Sequence, residues 1–380
     1  MINSINQIKQ TLIASCKQKF CEYYAPLRGR NIYVYGSGMY GRFLKKALVD
    51  YGCVDKVFAF INDFDNGYEV DGIPVMSLED VLSKDQHCFV AVGIQECKSV
   101  NKRLSEKGVP YFSAPIEIFF ASIMLLYYDY SCERMQPISD ALKKIEIFHS
   151  NLIDKESDIV SFYNDDGSRK LINNRLMFYK TGNVDYLFMG PVNKPEYFDD
   201  SYMSINENET YVDCGAYDGD SVIEFLNFVK GKYKKIIAFE PDKSNFKKLQ
   251  NVVTGLHDID VYPFATGNEN AQISFAEEGG LNSQISETGA NKVQMIRLDD
   301  LIKDEISLVK LDVEGAEMDP LRGCEKLIKK YRPKLAVSLY HRIDDLINIP
   351  TYLKKIVPEY KFKLRQHSGA LYDTVLYAEI

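Results

Sequence analysis

Apolar residues along this chain form short β-type runs that alternate with stretches of helical periodicity. The first series predicts a strand over 31–35, a helix over 43–51, a strand over 57–61, a helix starting at Ser77 and a strand over 89–92. A glycine turn, G-S-G-M-Y-G over 36–41, follows the first strand directly. Strand, glycine turn, helix and strand is the order of a Rossmann-like nucleotide fold, so the sequence predicts such a domain over 1–116.

A second series of the same kind begins at residue 210. The predicted strands lie at 210–214, 235–239, 260–264, 306–311 and 334–340, and two final β-rich runs lie at 360–367 and 373–379. We expect the last two to form an antiparallel hairpin added to a parallel sheet. Between the series, an intervening segment over 117–205 reads as mainly helical at 118–130, 138–151 and 157–176. The predicted domains are therefore 1–116, 117–205 and 206–380.

Composition narrows the class of protein. The 380 residues suit two or three domains at about 150 residues each. Acidic residues outnumber basic ones by 54 to 46, and the net charge of −8 disfavours a nucleic-acid partner, because phosphate neutralisation needs a basic excess. Eight cysteines occur without a Cys-x-x-Cys pair, so we expect neither a disulfide framework nor a metal site.

Targeting signals are not evident in the sequence. The longest apolar run, over 118–128, is shorter than the roughly 20 residues that cross a bilayer, and residues 1–20 lack the apolar core of a signal peptide. We therefore expect a cytoplasmic protein with no membrane span. Whether it forms a homo-oligomer is left open.

The glycine turn of the first domain is a candidate second nucleotide site. Its residues would be Gly36, Gly38, Gly41, Asn62, Asp63 and Gly93. Asn62 stands where a ribose-binding carboxylate is usual, so Asp63 either grips a ribose or only caps the turn. Residues 28–116 resemble the nucleotide-sugar-binding domain of bacterial sugar O-acetyltransferases, at Y-G-S-G over 35–38, F-I-N-D over 60–63, G-I-P-V over 72–75 and V-A-V-G over 90–93.

The loop after the first strand of the second series differs in sequence from the glycine turn of the first domain. Asp213 precedes Gly215 and Gly219 in the pattern D-x-G-x-x-x-G, and an acidic residue there repels a pyrophosphate but suits a ligand with a cationic amino group. S-adenosylmethionine is such a ligand, and Glu240, 21 residues past Gly219, suits its ribose hydroxyls. The predicted cofactor-binding residues are Asp213, Gly215, Ala216, Tyr217, Gly219, Asp220, Ser221, Glu240, Pro241, Asp242, Ala265 and Asp312. In this prediction Asp220 and Ser221 cap the following helix.

Residues 209–380 resemble the FkbM family of S-adenosylmethionine-dependent methyltransferases. The motifs are V-D-C-G-A-Y-D-G-D over 212–220, A-F-E-P over 238–241, V-K-L-D-V-E-G-A-E over 309–317 and D-T-V-L-Y-A over 373–378. The resemblance implies a class I methyltransferase fold, which is α/β with a parallel sheet and an antiparallel C-terminal hairpin. It also implies O-methylation, commonly of sugar hydroxyls in surface polysaccharides or of natural products.

Catalysis is assigned to the ends of two neighbouring strands. Asp312 follows the fourth strand and His341 the fifth, so we expect His341 to act as general base and Asp312 to orient it. The predicted substrate-binding residues are Glu314, His341, His367 and Tyr197, and Glu317 is expected to be structural. Three alternatives remain open: His341 bonded to backbone, Asp312 as a turn cap, and the pair as ligands of a divalent ion, which we do not expect.

The sequence therefore predicts an S-adenosylmethionine-dependent sugar O-methyltransferase with a carbohydrate or nucleotide-sugar acceptor. One alternative is an NAD-dependent sugar oxidoreductase or epimerase that uses the first glycine turn. Another is a non-catalytic nucleotide-binding module.

Overall fold

The structure, a computed structural model, describes residues 5–93, 98–113, 144–148, 159–187, 192, 194–276, 284–285, 291–367 and 373–380. The chain divides into two compact units, one made of 1–146 with 177–188 and the other of 147–176 with 189–380. Most of the predicted intervening helices at 118–130 and 138–151 lie outside the described residues. The three-domain division thus stays a prediction.

The first unit is a mixed α/β unit. Over its described residues the strands are β1 (Ile32–Tyr35), β2 (Val57–Ile61), β3 (Glu69–Val70), β4 (Ile73–Met76), β5 (Phe89–Val92) and β6 (Tyr111–Ser113), in the order β3-β4-β2-β1-β5-β6. All neighbours pair parallel except β3 and β4. The helices are α1 (Ile5–Tyr24), α2 (Met39–Asp50), α3 (Leu78–Lys84) and α4 (Lys98–Glu106).

Several local features of this unit match their sequence signals. Ser77 caps α3 by accepting the N–H of Asp80, as its capping pattern predicts. Gly52 follows α2 with φ +68°, the left-handed conformation that favours glycine after a helix. The sequence did not predict helix α1, because its polar, lysine-bearing sequence separates apolar and polar residues only weakly between two faces. Leu12, Cys16 and Phe20 of this helix are nevertheless completely buried.

The second unit carries the class I methyltransferase fold. Its main sheet comprises β7 (Thr210–Cys214), β8 (Lys235–Phe239), β9 (Ile259–Tyr262), β14 (Leu308–Leu311), β15 (Lys334–Ser338), β16 (Lys361–Gln366) and β17 (Thr374–Glu379). Over the described residues their order is β16-β17-β15-β14-β7-β8-β9. Strand β17 pairs antiparallel with both β15 and β16, and the other strands pair parallel. The predicted terminal hairpin is confirmed.

The helices of the second unit connect and cover these strands. They are α6 (Asp220–Phe228), α7 (Lys243–Val253), α8 (Leu298–Leu301), α9 (Met318–Gly323), α10 (Glu325–Tyr331) and α11 (Asp345–Ile356). The predicted helix at 157–176 is interrupted: a 3-10 turn, Ile159–Phe162, precedes α5 (Asp166–Thr181), because the polar residues at 164–165 break the helix. Among the described residues, every helix is too short or too polar to span a lipid bilayer.

The predicted third strand is split in two. Strand β9 ends at Tyr262, and after Pro263 the chain continues as β10 (Phe264–Thr266) in a separate sheet. That sheet adds β11 (Ala271–Ala276), β12 (Gln284–Ile285) and β13 (Asn291–Ile296), in the order β10-β13-β11-β12. A proline donates no backbone hydrogen bond, which explains the break. Most of the predicted loop at 277–289 lies outside the described residues.

Candidate active site

Four neighbouring parallel strands end at one edge of the main sheet. In the pairing register Cys214 lies beside Phe239 and Leu311, and Leu311 lies beside Val337. The segments that follow β7, β8, β14 and β15 therefore emerge together. In an open α/β sheet this carboxyl edge is where ligands bind, and it brings together the predicted cofactor and catalytic residues.

The loop after β7 is shaped by two glycines in the left-handed region. Gly215 has φ +82°, and a Cβ there would lie 1.9 Å from the carbonyl oxygen of Asp312. Gly219 has φ +96° and is the N-cap of α6, so the predicted cap at Asp220–Ser221 is wrong by one residue. Asp220 is instead the first helical residue, and its Oδ1 accepts the N–H of Ser221. The glycines let the loop pass close to the end of β14.

Asp213 lies beneath this loop and is completely buried. Its Oδ2 accepts the hydroxyl of Ser221 at 2.6 Å, and its Oδ1 lies 3.2 Å from the ammonium of Lys310. Lys310 also donates to the carbonyl of Gly215 at 2.6 Å. Burial opposes the charge of Lys310, but Asp213 and Asp312 outweigh it and raise the lysine pKa. Asp213 thus acts on a ligand only through the loop, and its charge is balanced from within the protein.

Glu240 follows β8 and faces the same loop. Its Oε2 accepts the N–H of Tyr217 at 2.9 Å and its Oε1 accepts the N–H of Asp242 at 2.8 Å. Burial raises the pKa of Glu240 to about 7, against the lowering effect of those two N–H donors. Asp242 caps α7 by accepting the N–H groups of Ser244 and Asn245, so it has a structural partner of its own.

The remaining predicted cofactor residues lie after β7, after β8 and in β10, and they differ in burial. Ala216 is fully buried, Tyr217 is half-buried in the left-handed region with φ +48°, and Ala265 is a buried residue of β10. Pro241 lies between Glu240 and Asp242 at the end of β8. Their contact with a cofactor stays a prediction.

Asp312 follows β14 and is held by Tyr197. The Tyr197 hydroxyl donates to Asp312 Oδ2 at 2.8 Å, and the Tyr197 ring lies 5.2 Å from the ammonium of Lys310. Tyr197 belongs to the buried core of the second unit, and burial raises its pKa well above the ordinary value. The tyrosine therefore links the cofactor loop to the predicted catalytic carboxylate.

His341 lies among three carboxylates. Its Nδ1 is 2.7 Å from Glu317 Oε1, and its Nε2 is 3.3 Å from Glu314 Oε2 and 3.8 Å from Asp312 Oδ1. Burial alone would lower the pKa of His341, but the contacts with Glu314 and Glu317 outweigh it and raise the pKa to about 10. These contacts favour the protonated form of the imidazole, which the predicted role of general base did not anticipate.

Glu317 organises the turn after β14. Its side chain is completely buried, and its Oε1 accepts the N–H groups of Val313 at 3.2 Å and Gly315 at 3.1 Å. Within this turn Glu314 has φ +54° and Gly315 has φ +95°. The motif D-V-E-G-A-E is thus a tight turn that wraps its backbone around the carboxylate of Glu317 and directs that carboxylate toward His341.

His367 has partners of its own. It follows β16, its Nε2 lies 2.7 Å from the Tyr377 hydroxyl, and its Nδ1 lies 3.3 Å from the Lys194 carbonyl. Burial lowers the pKa of His367. Its predicted contact with substrate stays a prediction.

The glycine turn of the first unit is closely packed. A Cβ at Gly41 would lie 1.8 Å from the carbonyl oxygen of Gly36, and one at Gly93 would lie 2.8 Å from the Cα of Gly41. Asp63 accepts the N–H of Leu78 at 2.9 Å and a hydrogen bond from Arg103 at 2.6 Å, and also binds the Tyr35 hydroxyl. Gly38 has open space around it.

Asn62 is also engaged within the first unit. Its side-chain oxygen accepts the N–H of Phe64 at 3.1 Å, and its side-chain nitrogen donates to the Ser37 hydroxyl at 3.0 Å. Both polar residues that follow β2 therefore form hydrogen bonds with other groups of the protein. These contacts favour the capping alternative for Asp63 over the ribose-binding one.

Sequence reasoning missed Lys310 and the contact of Glu317 with His341. A lysine inside the otherwise apolar run L-V-K-L of a central strand is a signal that a buried anion lies nearby, since an unpaired buried ammonium is strongly disfavoured. No comparable signal distinguishes Glu317, because its partner His341 lies 24 residues away in sequence.

Comparison with known proteins supplies the identity of the second unit. The profile of the Methyltransferase FkbM domain matches residues 213–364, a segment that includes the cofactor loop, Glu240, Asp312 and His341. Over those residues the chain is similar to the FkbM methyltransferase domain. The chain is a methyltransferase, and the matched domain supports S-adenosylmethionine as its cofactor.

One solved structure is similar in fold over nearly the whole chain. Methyltransferase FkbM from Methylobacillus flagellatus KT aligns over 99% of this chain and 100% of its own, with a TM-score of 0.59 and 21% identity. An rRNA methylase from Streptococcus thermophilus aligns over 46% of this chain and 88% of its own, with a TM-score of 0.31 and 14% identity. No curated protein matches the chain. The likeness of residues 28–116 to sugar O-acetyltransferases stays a prediction.

Proposed function

We propose that this FkbM domain transfers a methyl group from S-adenosylmethionine to a sugar hydroxyl of a surface polysaccharide, a glycan or a nucleotide-sugar precursor. The observation that carries the proposal is the loop from Asp213 to Gly219, which lies beside Glu240 at the carboxyl edge of the sheet, within a matched methyltransferase domain. Carboxylates at the same edge suit an acceptor rich in hydroxyl donors.

The residues present fit the cofactor. A side chain at Gly215 would meet the backbone of Asp312, so glycine is needed for the close path of the loop. Asp220 accepts the N–H of Ser221, but Gly219 provides no side-chain cap for α6, so the other N–H groups of its first turn are available to a carboxylate. Glu240 is placed to accept the ribose hydroxyls. When bound, S-adenosylmethionine supplies an electrophilic methyl group on a sulfonium.

The acceptor hydroxyl would lie against Asp312 and His341. Asp312 is oriented by Tyr197, and His341 is oriented by Glu317, so both side chains are fixed before an acceptor arrives. We propose that this pair binds the hydroxyl and that Glu314, whose Oε2 lies 3.3 Å from His341 Nε2, receives its proton. General bases contribute about 10²–10⁴-fold when they are positioned in this way.

A dinucleotide-dependent function has less support. In the first unit Asp63 and Asn62 are engaged by protein groups, and Gly41 and Gly93 are needed for packing. A redox role would require those side chains to exchange their present partners for a ribose. We therefore propose that any sugar-nucleotide contact made by this unit serves to recognise the acceptor.

Thermal unfolding with added ligands tests the proposal. S-adenosylhomocysteine at about 100 times its dissociation constant should stabilise the protein by about 2.7 kcal/mol and raise the midpoint by roughly 5–10 °C. NAD, run in parallel, should give no rise. A rise with NAD and none with S-adenosylhomocysteine would refute the methyltransferase assignment of the site.

A further inference from the structure

The turn after β14 and the segment after β15 bring together side chains that suit a metal ion. Asp312, Glu317 and His341 each offer one ligand atom, and these atoms lie within 4.8 Å of one another. We propose that the three side chains bind a divalent cation of the Mg²⁺ or Mn²⁺ class, which displaces the proton of His341 to solvent and holds the acceptor hydroxyl. This inference rests on the proposed methyltransferase function and adds a metal that the sequence did not lead us to expect.

Three buried atoms of this group have no hydrogen-bond partner among the described residues. They are Asp312 Oδ1, Glu317 Oε2 and His341 Nε2, one from each side chain. Glu317 has a completely buried side chain, so water does not reach its free oxygen from the surface. A buried polar atom left without a partner is strongly disfavoured. Three such atoms in one cluster are the arrangement expected of ligands that share a cation.

The net charge of the cluster also favours a bound cation. Three carboxylates, Asp312, Glu314 and Glu317, face a single imidazole. Lys310, whose charge also acts on Asp312, pairs with Asp213 and donates to the carbonyl of Gly215. Negative charge therefore exceeds positive charge at this point, and a divalent cation would restore the balance.

The orientation of His341 also suits metal binding. Glu317 Oε1, fixed by two backbone N–H groups, lies 2.7 Å from Nδ1 and leaves Nε2 facing Asp312 and Glu314. Two carboxylates and one imidazole, with no thiolate, favour hard or borderline divalent ions over soft ones.

A cation here would act on the acceptor. It would bind the hydroxyl oxygen and make the hydroxyl more acidic. In the transfer the O–H bond breaks, the oxygen forms a bond to the methyl carbon, and the bond from that carbon to sulfur breaks. The sulfonium leaves as a neutral thioether, and the proton passes to Glu314, whose side chain is the most exposed of the three carboxylates.

Titration of the full chain with Mn²⁺, followed by electron paramagnetic resonance, tests the site. We expect one Mn²⁺ per chain at submillimolar concentration. Asp312→Asn and Glu317→Gln should each weaken binding at least about 10-fold. Glu305→Gln, which changes an exposed carboxylate of the same unit, should bind as the natural chain does. No saturable binding by the natural chain, or equal binding by all four proteins, would overturn the proposal.

Binding of S-adenosylhomocysteine, measured on the same samples, separates the two proposals. If the natural chain binds S-adenosylhomocysteine but not Mn²⁺, the metal site is wrong and the methyltransferase function stands. If it binds Mn²⁺ but not S-adenosylhomocysteine, the proposed function fails, and the metal's role as a partner in methyl transfer fails with it. Retained S-adenosylhomocysteine binding in Glu317→Gln, and an unchanged midpoint of thermal unfolding in Asp312→Asn, would also show that these variants are folded.

Discussion

Lys310 holds its ammonium inside the main sheet of the second unit, where water does not compensate its charge. Asp213 supplies that compensation, and the two side chains are 4% and 0% exposed. Removing one member of such a pair leaves the other charge buried without a partner, which is far costlier than removing both. The cofactor loop is therefore held by a charge pair as well as by its glycines.

Lys310→Met should consequently destabilise the protein by about 3–5 kcal/mol, because it leaves the Asp213 carboxylate uncompensated. Adding Asp213→Asn to that variant should restore a large part of the loss. The free energy of unfolding in urea measures both effects. Lys232→Met, at a lysine that is 63% exposed, is the control and should change stability by less than about 0.5 kcal/mol. Equal losses in the single and the double variant would contradict this account.

Glu240 makes the stability of the folded protein depend on pH, and the direction of its pKa shift sets the sign of that dependence. Burial raises its pKa in the folded protein to about 7, and the charged groups that act on it are Asp242 in the same turn and Lys310 on β14. A carboxyl whose pKa is raised by folding stabilises the folded state at low pH, and this contribution disappears as the pH rises through 7. Between pH 6 and pH 8 the natural chain should therefore lose about 1 kcal/mol of stability relative to Glu240→Gln.

Unfolding of both proteins in urea across that pH range checks the prediction without any ligand. Parallel curves for the natural chain and Glu240→Gln would show that Glu240 does not titrate there. Because other groups shared by the two proteins titrate equally in both, only the difference between the curves reports on Glu240.

At the scale of elements, the glycine turn between β1 and α2 shows how closely a helix can approach a strand. Gly41 on α2 meets the carbonyl of Gly36, and Gly93 after β5 meets Gly41 in turn. These glycines are required by backbone packing within the first unit. The motif G-x-G-x-x-G therefore has a structural explanation here that needs no nucleotide.

Gly41→Ala should lower the stability of the protein by at least about 2 kcal/mol, because its Cβ would meet backbone that cannot move aside like a side chain. Gly38→Ser is the matched control. Gly38 has open space around it and is the N-cap of α2, a position that serine favours. Thermal unfolding compares the two, and a loss of similar size in both variants would contradict the packing explanation.

At the scale of the whole molecule, two α/β units with related strand patterns have different sites. In the first unit, the polar residues after β2 bind protein groups. In the second, the strand ends present Glu240, Asp312 and His341 at one edge of the sheet, and some of their polar atoms have no protein partner. The net charge of −8 disfavours a polynucleotide acceptor.

The sequence by itself determined the class of each unit, because strand and helix periods and the glycine turns are local properties. The pattern around Asp213, Gly215 and Gly219 predicted the cofactor loop, and the runs at 360–367 and 373–379 predicted the antiparallel hairpin. Helix α1 was missed because its amphipathic signal is weak. The break at Pro263 was missed because the local sequence is also compatible with an unbroken strand.

Only the tertiary structure decided how the charges pair. Lys310 lies against Asp213, and Glu317 against His341, across separations of 97 and 24 residues in the chain. No local pattern contains that information, since the partners meet only when neighbouring strands of the sheet pair in register. For the same reason the free atoms of Asp312, Glu317 and His341, and with them the case for a metal, emerge from the folded chain alone.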